Sequence, residues 1–272
     1  MPTTIADLHR VVEELWPVDG AEPWDAPGLV TGGQKSPVTR VLLAVDPVSD
    51  TVDEALEGRF DVLFVHHPLL LRGVTSVAED RYKGALIGRL IRGGCSLVTA
   101  HTNADVVPDG VSDVLATRLG LVDVRPIVPG ARPSSGLGRV GRMPEPTSLG
   151  RLARTLAGLL PATATGIRVA GDYSRPITTI SLCGGAGDAF LSEPAVVASD
   201  VYITSDLRHH PASEALEQAR ISVGPSLVDV SHWAAEWLWL DTAAEQLRRA
   251  LPGVTIEVSE LRTDPWDFVI VQ

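Results

Sequence analysis

Two adjacent histidines, His66 and His67, end the apolar stretch FVHHPLL at residues 64–70. Neighbouring side chains on a β-strand point to opposite faces, so such a pair at a strand end needs a chemical reason. Six of the seven histidines lie at predicted strand or helix ends: His66, His67, His101, His209, His210 and His232. A single histidine is ordinarily a structural residue, but the shared placement of six favours a common site.

Two carboxylates accompany these histidines. Asp105 lies four residues after His101, and Glu236 lies four residues after His232, a spacing that places both side chains on one face of a helix. Imidazole and carboxylate are ligands of zinc, manganese and iron. Two ions about 3.5–4 Å apart need ligands from both sides, and adjacent histidines can serve one ion each. The pattern indicates a metal site at the carboxyl ends of parallel strands, where α/β folds place their sites.

The histidines follow short apolar strands that alternate with amphipathic helices. Ile5, Leu8 and Val12 keep helical spacing, so the chain opens with a helix. Strands are predicted at 40–46, 61–67 and 95–101, and helices at 49–59 and 80–94. This rhythm predicts an α/β fold with largely parallel sheets covered by helices.

A second half follows a connection at 125–147 that is rich in proline, glycine and arginine. Beyond this connection, strands are predicted at 166–170, 176–183, 200–206, 226–232, 254–260 and 266–272, and helices at 148–160, from 211, and up to 250. DVLFVHHP at 61–68 is echoed by DVYITSDLRHHP at 200–211, which is either coincidence or the mark of two related halves.

We therefore expect two related α/β domains with mixed, largely parallel sheets. The first, metal-binding domain is predicted to comprise residues 1–124 and 226–272. The second is predicted to comprise residues 125–225.

Composition and charge argue against several classes of protein. The formal net charge of −11 disfavours nucleic-acid binding, because phosphate contacts need a basic face. No apolar run approaches the roughly 20 residues of a membrane span, and the first residues lack the pattern of a signal peptide. Cys95 and Cys183 are too few for a disulfide framework and are expected to be free core thiols. The expected compartment is the cytoplasm.

The combined motifs resemble those of the Nif-three-like dinuclear-metal proteins, also known as GTP cyclohydrolase I type 2 homologues. Five segments carry the resemblance over nearly the whole chain: EPWDAPGLVTGG, FVHHPLLL, TAHTNAD, VYITSDLRHHPASEA and VDVSHWAAEW. The resemblance implies that His67 and Asp105 bind one ion, that His66 and His232 bind another, and that Glu236 bridges both. The cofactors expected are two divalent transition-metal ions per chain, either zinc, manganese or iron.

Three further histidines are candidate catalytic residues. The resemblance implies that His101 supports the metal site or binds metal conditionally. His209 and His210 either lie at a cavity and handle a substrate or proton, or are helix-entry residues beside Pro211.

Two other features have a structural and a functional interpretation. CGGAGDAF at 183–190 lacks the full glycine pattern of a phosphate loop, which favours a tight turn from strand to helix. Trp233 and Trp237 share a helical face, which favours packing or subunit contact over a platform for stacked bases.

The resemblance also implies self-association, as trimers that pair into a toroidal homohexamer. At 272 residues the chain is expected to lack the inserted domain of some members. Ala26 stands where the family often has asparagine, and Ser205 and Ser231 stand where glycine is usual. None of these departures removes an implied ligand, but Ser231 places a side chain beside His232.

The function expected is that of a metal-dependent hydrolase, acting through a metal-activated water on a small nucleotide-like or heterocyclic substrate. The sequence contains no purine-reading motif, so the cyclohydrolase reaction rests on the resemblance alone. The alternative is a non-catalytic metal-dependent scaffold, or a metal-handling interaction protein that forms a ring. DNA binding inside such a ring is disfavoured by the acidic charge.

Overall fold

The computed structural model describes residues 2–271. Its strands, numbered along the chain, are β1 (Gly28–Thr31), β2 (Arg40–Ala44), β3 (Val62–Val65), β4 (Ser96–Thr99), β5 (Val122–Arg125), β6 (Val128–Pro129), β7 (Gly136–Leu137), β8 (Arg139–Ser148), β9 (Arg168–Ala170), β10 (Pro176–Ala186), β11 (Val201–Ser205), β12 (Ser226–Val230) and β13 (Thr255–Val258). Its helices are α1 (Ile5–Leu15), α2 (Ser49–Glu57), α3 (Tyr82–Gly93), α4 (Thr102–Asp105), α5 (Val111–Arg118), α6 (Leu149–Leu159), α7 (Pro194–Val197), α8 (His209–Ile221) and α9 (His232–Ala250).

The chain divides into two compact units. Unit 1 comprises Met1–Ala104 and Leu240–Thr263, and unit 2 comprises Asp105–Trp239 and Asp264–Gln272. Each unit contains its own large mixed sheet with helices, which confirms the predicted α/β class.

Unit 1 is built on a five-stranded sheet with the order β1-β4-β3-β2-β13. Neighbouring strands are parallel except for β1, which pairs with β4 in the antiparallel sense at one edge. All four residues of β3, VLFV, are buried. A parallel strand covered on both faces has no polar side, which explains the unbroken apolar run.

The core of unit 1 lies on both faces of this sheet. On one face, Leu63 of β3 packs with Val52 of α2 and Leu90 of α3. On the other face, the ring of Phe64 lies 5.4 Å from that of Trp16, which follows α1. All five side chains are fully buried. Each such burial contributes about 1.5–3 kcal/mol, so this core holds the ends of β3 and β4 in place.

Unit 2 is built on a six-stranded sheet with the order β5-β8-β10-β11-β12-β9. The three strands β10, β11 and β12 are parallel, and β5, β8 and β9 are antiparallel to their neighbours. Cys183, Tyr202 and Leu227 of the central strands belong to its buried core. The sheet is therefore mixed, with a parallel centre.

The two segments that echo each other in sequence occupy corresponding places. β3 lies between two parallel neighbours in unit 1, and β11 lies between two parallel neighbours in unit 2. Both strands end just before polar residues, at Val65 and Ser205 respectively. The echo therefore marks the same position in two related sheets.

The bounds of the two units differ from the predicted domains 1–124 plus 226–272 and 125–225. Residues 105–124 belong to unit 2, where β5 pairs with β8. Residues 226–239 also belong to unit 2, because β12 pairs with β11 over its whole length. The division into units depends on which distant strands pair with each other, and local composition does not predict that pairing.

Two predicted elements at the C-terminal side of the sequence take another form. Residues 266–271, predicted as a strand, form no strand and leave Trp266, Phe268 and Ile270 more than half exposed. Apolar composition favours extended backbone, but a strand also needs a neighbouring strand to pair with. The turn predicted within 183–190 comes later than expected, because β10 continues to Ala186 and a short 3₁₀ turn follows at Asp188–Phe190.

Among residues 2–271, no helix is both long enough and apolar enough to cross a membrane.

Candidate metal centre

Unit 1 brings three imidazoles together. His66 and His67 follow β3, and His101 follows β4. β3 and β4 are parallel neighbours with Val65 opposite Thr99, so the chain leaves both strands at the same edge. The ring centroids lie 5.1–5.5 Å apart. Each histidine has a ring nitrogen that lies within 4.8 Å of a ring nitrogen of each of the other two, a spacing suited to a metal ion.

Each of these rings is oriented by an acceptor at Nδ1. His66 Nδ1 lies 2.9 Å from the carbonyl oxygen of Ala100, and His67 Nδ1 lies 2.7 Å from Asp46 Oδ1. Carbonyl and carboxylate oxygens accept hydrogen bonds, so both Nδ1 atoms donate. The lone pair of each neutral ring is then on Nε2, which is the tautomer that ligates a metal through that atom.

His101 is oriented in the same way by Asp25, whose Oδ1 lies 2.8 Å from Nδ1. Asp25 is itself held by Thr102, through the backbone amide at 3.0 Å and the hydroxyl at 2.5 Å. Burial opposes ionisation of Asp25, but the hydrogen bonds from His101 and Thr102 outweigh it and hold the pKa of this carboxyl well below its usual range. Asp25 is therefore a buried, ionised carboxylate that accepts a hydrogen bond from Nδ1 of His101.

Unit 2 contributes a second group at the start of α9. His232 Nε2 lies 2.9 Å from Glu236 Oε1, as the four-residue spacing predicts. His232 Nδ1 lies 2.6 Å from Asp206 Oδ2, at the end of β11. Burial lowers the pKa of His232, but Glu236 and Asp206 together raise it well above its usual value. A metal ion that binds Nε2 therefore has to displace a proton.

Asp206 and His232 come together because each follows one of two neighbouring parallel strands. β11 and β12 are parallel, with Ser205 opposite Val230. The chain therefore leaves them at one edge, where Asp206 follows β11 and His232 follows β12. Asp206 has φ of 57°, a left-handed conformation that aspartate tolerates better than most residues.

A glycine lets the backbone of β10 lie close to His232 and Glu236. Gly185 has φ of +80°, and a Cβ there would lie 2.7 Å from Glu236 Oε1 and 3.4 Å from His232 Nε2. The register of β10 against β11 shifts between Leu182 and Ala186, so a bulge carries the backbone into this place. The backbone can therefore approach the two side-chain atoms this closely only because residue 185 has no side chain.

Asp105 belongs to this part of the chain as well. Burial, together with the charges of Asp105 and Glu236, raises the pKa of the Cys183 thiol to about 12. Both carboxylates thus act on one buried thiol. Cys95 is also a buried free thiol, as expected for the two cysteines.

The donors fit a divalent transition metal. Nδ1 of each imidazole contacts an oxygen acceptor, which directs Nε2 toward a metal ion, and two buried or partly buried carboxylates supply negative charge. Unit 1 places His66, His67 and His101 together, and unit 2 places His232 beside Glu236. The aspartates behind the histidines are not among the residues predicted from sequence, although Asp46 and Asp206 closely follow the ends of parallel strands.

The other candidate residues lie elsewhere. His209 and His210 are exposed at the start of α8, and their rings lie 5.2 Å apart. His209 lines a cavity of about 470 Å³ in unit 2, together with Leu207 and Leu216. Among residues 2–271, no group of three or more ligand-type side chains includes either histidine.

Two further sequence features have structural roles. Ser231 accepts a hydrogen bond from the Ala234 amide at 3.2 Å and donates one to Asp264 at 2.5 Å, so its hydroxyl caps α9. Trp233 is 6% exposed and lies 6.2 Å from Trp237, ring to ring. The burial of Trp233 favours a packing role for this side chain over a platform for stacked bases.

Known proteins resemble this chain over nearly its whole length. A Streptomyces coelicolor protein named "GTP cyclohydrolase 1 type 2 homolog" is 43% identical over 96% of this chain and 93% of its own length. A Mycobacterium tuberculosis protein of the same name is 32% identical, covering 98% of each chain. Its alignment spans 376 positions, so it carries sequence that this chain of 272 residues lacks.

Solved structures show the same fold. A Bacillus cereus protein related to NIF3 has a TM-score of 0.89 at 22% identity, covering 99% of this chain and 100% of that one. A Staphylococcus aureus hypothetical protein has a TM-score of 0.86 at 27% identity with the same coverage. The family model described as Duf34/NIF3 (NGG1p interacting factor 3) matches residues 3–265. This chain therefore belongs to the Duf34/NIF3 family.

Proposed function

We propose that this protein is a metal-dependent hydrolase that holds two divalent transition-metal ions through five residues: His66, His67, Asp105, His232 and Glu236. The observation that carries the proposal is the acceptor behind each imidazole. Ala100, Asp46 and Asp206 accept hydrogen bonds from Nδ1 of the three histidines, which makes Nε2 the atom that would bind a metal, at His232 after the loss of its proton.

The residues of the chain have distinct tasks in this function. The three imidazoles bind the ions without adding charge, and the two carboxylates offset their positive charge. Glu236, 3% exposed, is proposed to bridge the ions. When bound, such ions act as Lewis acids and lower the pKa of water toward neutrality. Gly185 lets the backbone of β10 approach Glu236 closely, where a side chain would press on the carboxylate.

The substrate class proposed is a small nucleotide-like or heterocyclic molecule. It is supported by the name shared by the Streptomyces and Mycobacterium relatives, GTP cyclohydrolase 1 type 2 homolog. A cyclohydrolase opens a ring by adding water across a carbon–nitrogen bond, a reaction that the ligands proposed here can support. The cytoplasmic location and the metal identity stay predictions from sequence.

The substitution Glu236→Gln tests the metal centre. Wild-type protein loaded with zinc, manganese or iron is expected to contain up to two ions per chain. Glu236→Gln is expected to lose at least one ion and all metal-dependent hydrolysis, because an amide bridges two cations poorly and half of the carboxylate charge is removed. Elemental analysis and a panel of nucleotide and heterocyclic substrates provide the two measurements.

The matched control is Glu245→Gln on the same helix. Glu245 is exposed and pairs only loosely with Arg249, at 3.6 Å, so its loss is expected to change neither metal content nor activity. Near-zero metal in wild-type protein under all three loadings would overturn the metal centre. Full metal with no turnover on the whole panel would instead support the non-catalytic scaffold.

A further inference from the structure

We propose that residues 266–271 of one chain dock on unit 2 of a second copy of this chain. The segment lies along the free edge of β9 as an added strand, and its apolar side chains fill the cavity between β9 and α8. Segment and cavity both belong to unit 2. The inference goes beyond the proposed function, because it concerns a surface for self-association that contains none of the five proposed ligands.

The segment 266–271 exposes a large apolar side chain at nearly every position. Trp266, Phe268 and Ile270 are 61%, 76% and 76% exposed, and Val269 and Val271 are 57% and 88% exposed. These five side chains present roughly 600–700 Å² to water, above the roughly 300–600 Å² of the largest apolar patch on a typical monomer. One partner in a stable interface buries about 800 Å², so the segment supplies most of the area that association requires.

The segment has the composition of a strand but lacks a neighbouring strand. Aromatic and β-branched residues favour extended backbone, and the alternation of side chains along a strand places Trp266, Phe268 and Ile270 on one face. No strand within residues 2–271 pairs with this segment. An extended segment of this kind can bind another protein by adding a strand to the edge of its sheet.

β9 provides such an edge. It is the last strand in the sheet of unit 2 and pairs with β12 on one side, whereas no strand within the described part of the chain covers its other side. Val169 in the middle of β9 is 42% exposed. The opposite end of the sheet is less suitable, because β5 contains Asp123 at φ of 55° and its register against β8 is irregular.

The cavity of about 470 Å³ lies beside β9 and gives the added side chains a place to pack. Its apolar walls come from Val169, Ala170, Leu207, Ala212, Leu216 and Leu227. None of the 13 residues of α8 is buried, although a helix packed on a sheet ordinarily buries one face. α8 therefore leaves apolar surface that aromatic side chains of a second copy can cover, as anchor residues do at protein interfaces.

The charges at this edge also favour the segment. The Arg168 side chain is 66% exposed, whereas that of its partner Asp229 is 7% exposed, so a guanidinium group faces solvent at the start of β9. Asp267 is the one charged residue of the segment, and it is exposed. An added strand brings this carboxylate to the edge that carries Arg168, and opposite charges favour that pairing over a contact between two acidic segments.

Cross-linking between introduced cysteines tests the contact. Cys95 and Cys183 are buried, so a short bis-maleimide reacts chiefly with cysteines introduced on the surface. Full-length Val169→Cys and Ile270→Cys are coexpressed, and the mixture is expected to give covalent dimers that neither variant gives alone. The double variant Val169→Cys/Ile270→Cys is expected to give a ladder of linked chains, because the segment and the edge of β9 are different surfaces of one chain.

Three results of the cross-linking would overturn the proposal. The absence of a cross-link in the mixture would show that the segment does not reach β9. Dimers formed equally well by Ile270→Cys alone would place two segments against each other. A double variant that links only within one chain would show that the segment occupies the cavity of its own chain.

Substitution of the apolar side chains tests what they contribute to association. Phe268→Ser/Ile270→Ser is expected to weaken self-association about 100-fold or more, because two apolar side chains no longer leave water. Sedimentation velocity over a concentration series measures this effect, and thermal unfolding checks that the fold is kept. The matched control is Tyr82→Ser/Ile91→Ser on α3, where the side chains are 68% and 61% exposed. Unchanged association of the Phe268→Ser/Ile270→Ser protein would contradict the proposal.

Discussion

Aspartates behind the imidazoles orient two of the histidines that we propose as metal ligands. Asp46 holds His67, Asp206 holds His232, and each contact is 2.6–2.7 Å long. A metal bond to Nε2 requires that the proton stays on Nδ1, and a carboxylate enforces this more strongly than a carbonyl. His66, which is fully buried, relies on a carbonyl instead.

Asp46→Asn is expected to weaken metal binding about 10–100-fold while the chain keeps its fold. The amide oxygen of asparagine can still accept a hydrogen bond from His67 Nδ1. It lacks the negative charge that makes His67 Nε2 a stronger electron-pair donor to a metal ion. Competition with a chromogenic chelator measures the affinity. Asp53→Asn is the control, since Asp53 lies on the surface of unit 1 and pairs with Arg89. Equal affinities for the two variants would refute the role of Asp46.

At the scale of elements, the end of β10 determines the shape of the group in unit 2. The strand carries a register shift after Leu182, and Gly185 follows in a left-handed conformation. Glu236 opposite is 3% exposed and bonded to His232, so it has little space in which to retreat. The glycine-rich segment is therefore explained by the carboxylate it faces, and a phosphate is not required.

Gly185→Ala is expected to lower the free energy of unfolding by about 1–2 kcal/mol, because a Cβ disfavours φ of +80°. Metal affinity is expected to fall as well, since the methyl group would press on Glu236. Urea unfolding and metal titration measure the two effects. Gly158→Ala in α6 is the control: nothing lies within 4 Å of an added Cβ. It should instead stabilise the protein by about 0.5–1 kcal/mol.

At the scale of the whole molecule, the resemblance motivates an assembly of identical chains. We propose trimers that pair into a toroidal homohexamer. Multi-angle light scattering, with and without added metal, is expected to give a mass several times the 28.9 kDa of one chain. A monomer at every concentration tested would contradict the proposal. Closed rings are the usual result when one surface of a chain binds a different surface of the next.

Sequence alone determined the features that depend on short-range periodicity. Ile5, Leu8 and Val12 predicted α1, because three or four residues return a side chain to the same face of a helix. The apolar run before His66 predicted a buried parallel strand, since both of its faces are covered. The pairing of His232 with Glu236 followed from the pitch of one helix. The assignment of the five ligands stays a prediction.

Tertiary structure decided the features that join distant segments. The aspartates behind His67, His232 and His101 lie 21, 26 and 76 positions away in the chain, so no local pattern announces them. β12 was predicted to belong to the first domain, but it pairs with β11 in the sheet of unit 2. Its sequence is that of a buried strand and does not specify the neighbour. Strand pairing also left residues 266–271 unpaired despite their apolar composition. A hydrophobic pattern specifies which side of an element is buried, whereas the fold selects the partner that buries it.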